Sequence, residues 1–132
     1  MLLEVLIAIL IFSFGMLGVV GLQATAVQQS TAARYRAEAA LLAEQLIGRM
    51  WVDNRAASAL RAKYASCESC EGYAVWLETV KATLPGVQDN RNAPTVDIDA
   101  TTGVVTITIF WQAPGEEDAS PHQYDIETQI RQ

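Results

Sequence analysis

The chain is poor in the residues from which most catalytic and metal sites are built. Its 132 residues include one histidine, His122, and two cysteines, Cys67 and Cys70. Structural zinc usually takes four such ligands, so the supply is short. No His, Cys, Asp or Glu cluster has metal-ligand spacing, and there is neither a Gly-rich phosphate loop nor an internal repeat. No nucleophile–base pattern is visible, so neither an enzyme nor a cofactor is expected. Positive charge is scarce too: 9 Lys and Arg stand against 15 Asp and Glu, a net charge of −6. That balance argues against a nucleic-acid surface. Residues 1–22 hold no Lys, Arg or Pro, and the first basic residue is Arg34.

What fills residues 1–22 is apolar. Only Glu4 and Ser13 are clearly polar. About 20 such residues span the hydrocarbon of a bilayer, so this is a transmembrane-helix candidate. A carboxylate in such a run is costly to desolvate without a partner, by several kcal/mol. The only cation near it in sequence is the N-terminal amine. Two plainer readings exist. A secretory signal peptide would use the small residues Ala24-Thr25-Ala26 for cleavage, but it has a basic start, a shorter apolar core and no need of Glu4. A simple signal anchor needs no Glu4 either.

The residues Leu2-Leu3-Glu4-Val5-Leu6-Ile7-Ala8-Ile9 resemble the start of a mature type IV pilin or pseudopilin. The likeness continues through Leu17-Gly18-Val19-Val20-Gly21-Leu22-Gln23, which is similar to PilV-type minor pilins. Leu42-Ala43-Glu44-Gln45, Arg49-Met50, Trp76, Leu84-Pro85-Gly86 and the strand ending at Trp111 follow in that family's order. The match is dense over residues 2–51 and looser beyond. In the family, cleavage after a Gly frees an aromatic or Met residue. This sequence begins one residue nearer the glutamate, so the resemblance assigns neither cleavage site nor methylated residue to a position here.

The resemblance implies a structural subunit: a minor pilin of a type IV pilus that helps to prime or cap assembly. Its partners would be other minor pilins, the major pilin, the inner-membrane assembly platform and the prepilin peptidase. It would sit in the inner membrane as a single-pass protein with a periplasmic head, then in the pilus. Glu4 would pair with a neighbour's N-terminal amine in a dry site. Gly15, Gly18 and Gly21 would mark a helix segment that loses order on entering the filament; close helix packing in the bilayer is the competing reading. A type II secretion pseudopilin shares Leu3-Glu4-Val5-Leu6, and Gly21-Leu22-Gln23 favours the pilus. A pilus-tip adhesin or DNA-binding subunit is an alternative of another class, using the acidic loop or the cysteine loop.

The fold expected is α+β and pilin-like: a long N-terminal helix, half membrane-spanning and half amphipathic, packed on a small antiparallel sheet. Residues 1–22 form the membrane or filament half and residues 23–132 the head, which carries all 9 basic residues and a balance of −5. Such a head is soluble and self-repelling. Residues 23–53 continue the helix in good helix formers, with apolar positions at Ala24, Val27, Tyr35, Leu42, Leu46 and Met50 near helical spacing. The whole helix, of about 50 residues, would be ~75 Å long. Residues 54–86 hold the cysteine loop and a short helix in which Trp76, Val80 and Leu84 are spaced by four, stopped by Pro85-Gly86. Cys67-Glu68-Ser69-Cys70 has the spacing of a redox motif, but no βαβ pattern surrounds it. In an oxidising compartment a structural disulfide is the preferred reading over redox or zinc roles. Residues 94–131 are strand-like. Val96 and Ile98 share one face, as do Val105, Ile107, Ile109 and Trp111, and Tyr124, Ile126, Thr128 and Ile130. Gly103 suits a hairpin turn at positive φ. Residues 112–121 read as a solvated acidic loop.

Overall fold

Leu2–Val52 form one helix, α1. A computed structural model describes residues 1–116 and 118–131. The chain contains no proline before Pro85, so nothing in the sequence breaks the hydrogen-bond ladder of α1. It ends where Asp53 and Asn54 begin, as their turn chemistry predicts. Two shorter helices follow, α2 at Ala57–Tyr64 and α3 at Glu71–Thr83. Three strands complete the fold: β1 at Thr95–Ile98, β2 at Val104–Trp111 and β3 at His122–Gln129. The sheet is antiparallel throughout, in the order β1-β2-β3, which makes the protein α+β.

The chain divides into two compact units, residues 1–34 and 35–132. In the first, every residue from Met1 to Ser30 is exposed. In the second, α1 buries Ala39, Leu42, Ala43, Leu46 and Met50. Their spacing of three and four places them on one helix face. Tyr35 packs half-buried beside them. Ala24 and Val27 continue the same apolar spacing but are exposed. The buried face of α1 therefore starts at Tyr35, not at Ala24, because packing rather than periodicity decides burial.

Against that face lie Trp76 and Val80 of α3, and the alternate residues of the sheet. Val96, Ile98, Val105, Ile107 and Ile109 are almost fully buried. Trp76 is completely buried, and its indole N–H donates to the carbonyl of Leu42 at 3.0 Å. The core is thus fastened by a polar bond where burial alone would leave a donor unsatisfied. Tyr73 does the same, donating its hydroxyl to the Pro94 carbonyl at 2.7 Å.

The β1–β2 hairpin shows why its turn residues were needed. The Asp99 carboxylate accepts from the backbone N–H groups of Thr101 and Thr102 at 2.7 and 2.9 Å. The Thr102 and Thr101 donors hold that carboxyl below its ordinary value. Gly103 then takes φ = 70°. A Cβ there would lie 2.4 Å from the Ile130 carbonyl oxygen, so a side chain is excluded by space as well as by dihedral.

Candidate functional site

Residues 1–34 carry the first candidate. Large apolar side chains surround this helical stretch: Leu6, Ile7, Ile9 and Ile11 are each more than half exposed. α1 is long and apolar enough to cross a membrane. Three of its hydroxyls are satisfied locally. Ser13 donates to the Ile9 carbonyl at 2.7 Å, Thr25 to Gly21 at 3.2 Å and Thr31 to Val27 at 2.9 Å. Such back-bonding lets polar residues enter an apolar environment at low cost. The Glu4 carboxylate has no such solution. Among the described residues it has neither a hydrogen-bond nor an ion-pair partner. Its place in the first turn of α1 gives it the favourable end of the helix dipole, an effect of about 0.3–1 kcal/mol. That is smaller than the cost of a bare carboxylate in hydrocarbon.

Gly15, Gly18 and Gly21 lie in the same stretch, and α1 runs through them unbroken. A Cβ at any of the three would meet nothing within 4 Å. Intrachain packing therefore does not explain them, though each costs about 1 kcal/mol relative to alanine in a helix.

The second candidate, in residues 35–132, is the cysteine loop. Cys67 and Cys70 form a disulfide. It closes the corner between α2 and α3, where the Cys70 N–H also donates to the Cys67 carbonyl at 3.2 Å, and Cys70 occupies the N-cap position of α3 without a side-chain cap bond. The same corner reaches the sheet: the Ser66 N–H and hydroxyl both donate to the Val96 carbonyl of β1, at 3.0 and 3.3 Å. The disulfide thus fixes a turn that covers one sheet edge. Beside it opens a cleft of about 560 Å³ lined by Cys67, Glu68, Tyr73, Leu77, Glu78 and Asp89. Lys81 bridges Glu78 and Asp89 at its rim. Among the described residues no group of three or more His, Cys, Asp or Glu is placed to hold a metal.

A further anchor lies at the end of α1. Asp53 accepts from the Lys63 ammonium, the Asn54 N–H and the Tyr64 hydroxyl. Lys63 above all, then Asn54 and Tyr64, lower the Asp53 carboxyl to about 2. Burial, then Asp53, pushes the Tyr64 phenol up.

Sequence reasoning missed Gln112. The region 112–121 reads as a solvated loop, yet Gln112 is 7 % exposed. Its Nε2 donates to the carbonyls of Glu116 and Ala119 at 2.6 and 2.9 Å, while its Oε1 accepts from Arg91 and Asn92. Its backbone N–H donates to Pro85 at 3.0 Å. One residue, by side chain and backbone together, thus joins three loop segments. Gly86 (φ = 74°) makes room for it, since a Cβ there would fall 2.8 Å from the Gln112 Cβ. Next to it His122 stacks on Trp111, with ring centres 5.7 Å apart, and its Nε2 lies 2.9 Å from a Glu116 carboxylate oxygen. The only available signal was position, directly after a buried strand end and before a Pro-Gly loop.

Compared with protein-family models, curated proteins and solved structures, the chain finds no match in any of the three.

Proposed function

We propose that this chain is a minor pilin, a structural subunit held in the inner membrane by residues 1–22 and then built into a type IV pilus, where it helps to prime or cap assembly. One observation carries the reading. An apolar helical stretch ties its Ser13 and Thr25 hydroxyls to its own backbone but leaves a single carboxylate, Glu4, with no partner among the described residues. A plain anchor has no use for such a group. A subunit that must find a neighbour inside a dry helix bundle does, because the neighbour's N-terminal amine then offsets the desolvation. The exposed glycines support the same reading by leaving room for another helix to approach. The disulfide suits an oxidising compartment such as the periplasm. The role is architectural, with other pilins as partners and the prepilin peptidase as the processing enzyme.

The test is Glu4→Ala. The head is expected to stay folded and the helix to stay in the membrane, while recovery in sheared pili falls sharply relative to the membrane fraction. Equal recovery of variant and wild type in the pilus fraction would remove the assembly role. Recovery only in a type II secretion complex would assign the chain to the pseudopilins.

A further inference from the structure

The two edges of the sheet are finished differently. On β1 the Val96 carbonyl is taken by Ser66. On β3, among the described residues, no further strand pairs: its one neighbour in the sheet is β2. The bond from the Ile130 N–H to the Gly103 carbonyl fixes which residues face which way. With the observed register, Tyr124, Ile126 and Thr128 pair by backbone with β2. Gln123, Asp125, Glu127 and Gln129 therefore turn their N–H and C=O groups outward, each offering one donor and one acceptor. Among the described residues nothing fills them.

The side chains tell the same story. Val105, Ile107 and Ile109 of β2 are fully buried, whereas Tyr124, Ile126 and Thr128 of β3 are only half-buried. The dry face of the sheet continues to the edge without being closed there. An open, eight-residue edge is a template for another strand unless something forbids it.

The charges decide which strand. Asp125 and Glu127 both lie on the exposed face of β3. If two copies paired antiparallel through this edge, centred on Ile126, Asp125 of each would face Glu127 of the other. Shifting the register by two residues leaves carboxylates opposite or diagonal. Like charges directly opposite destabilise a strand pair. The edge thus rejects its own copy and favours a basic strand.

We infer that the outer edge of β3 is a docking site for an extended segment of a different protein, one that alternates Lys or Arg with β-branched apolar residues. The basic residues would lie beside Asp125 and Glu127, and the apolar ones would extend the half-covered row of Tyr124, Ile126 and Thr128. Main-chain bonds give such a site its affinity and the alternate side chains its selectivity. The inference rests on the sheet alone and is independent of the assembly role of Glu4.

The experiment uses the full chain, isotope-labelled, in neutral maltoside micelles, with two capped eight-residue peptides as probes. One alternates Lys and Val, the other Glu and Val. The Lys–Val peptide is expected to slow amide exchange at least about tenfold at Gln123, Asp125, Glu127 and Gln129, and nowhere on β1. The Glu–Val peptide is expected to leave these amides unchanged. In the double variant Asp125→Lys, Glu127→Lys the preference should invert. Asp125→Pro removes an outward N–H at an edge that tolerates proline, and should abolish protection by either peptide while the melting temperature of the head stays within a few degrees. Protection at other amides, equal protection by both peptides, or none at millimolar peptide overturns the proposal.

Discussion

Residues 2–34 and 35–52 belong to one helix, yet they solve opposite problems. The second length shows one face to a core and leaves the others wet: Leu42, Leu46 and Met50 are buried while Glu44 and Gln45 are exposed. The first is apolar on all sides up to Leu22, and every residue of it as far as Ser30 is exposed. Both lengths are helical all the same. What separates them is whether the chain supplies its own cover. The head does so with Trp76, Val80 and the inner row of β2. Residues 2–22 find no such cover among the described residues.

The sharpest way to break this comparison is to remove one side of it. A chain starting at residue 23 is expected to be a soluble monomer by sizing chromatography, while the full chain needs detergent. Beyond residue 22, the exposed large apolar residues among those described are only Val27, Leu41, Trp51, Val52 and Val75. Elution as a large aggregate, or a need for residues 1–22 in order to fold, would show that the head is not self-sufficient.

The next largest effect contrasts two apolar truncations. Trp76→Ala leaves a cavity and takes the second donor from the Leu42 carbonyl, and should cost the head about 3–5 kcal/mol. Leu10→Ala, in the exposed length, should leave the head's denaturation midpoint unchanged. Near-ultraviolet circular dichroism against denaturant reads both. Equal losses would mean that the two lengths are not energetically separate.

Much of this architecture was legible. The alternation of Val105, Ile107 and Ile109 named the dry face of β2 because the side-chain period of a strand is fixed. Asp99 and Gly103 announced their turn because so few residue types can make it. Tyr35, Leu42, Leu46 and Met50 were legible as the cover of that dry face, but the period of α1 alone did not mark where burial begins. Ala24 and Val27 keep the period of Leu42 and Leu46, and only the reach of the folded head decides which of them finds a partner. Gln112 was hidden for a related reason. Its burial depends on three loops meeting, which no local pattern encodes. Glu4 and the cysteines stood out by chemistry, as a charge in an apolar run and as a close pair, without any need of packing.

A smaller effect is expected at the α2–α3 corner. Mass spectrometry after alkylation without reductant should find neither Cys67 nor Cys70 modified. Because the closed loop is very short, reduction should lower head stability by no more than about 2 kcal/mol. Two alkylated thiols in freshly isolated protein would contradict the disulfide, and global unfolding on reduction would contradict its local role.

The smallest effect is one of pH. Asp53 is held at about 2, below its ordinary 3.8, first by Lys63. A carboxyl held low in the folded state contributes stability above its unfolded value and loses it as pH falls toward the folded one. The contribution should be complete above about pH 5 and fade between about pH 4 and 2. Asp53→Asn should therefore shallow the acid limb of melting temperature against pH, with little change at neutrality because the pair is solvent-screened. An unaltered limb would mean that Asp53 is not coupled to folding.

The bond from the Trp76 indole to the Leu42 carbonyl also governs how this protein melts. Helix formation in α1 is a matter of neighbouring residues, but that bond exists only when α3 has docked. In detergent, where residues 2–34 have independent cover, heating can release Trp76 while much of α1 stays wound. Far-ultraviolet ellipticity and indole emission would then follow different curves, and calorimetric and van't Hoff enthalpies would disagree. For the full chain a single melting temperature is not a defined quantity.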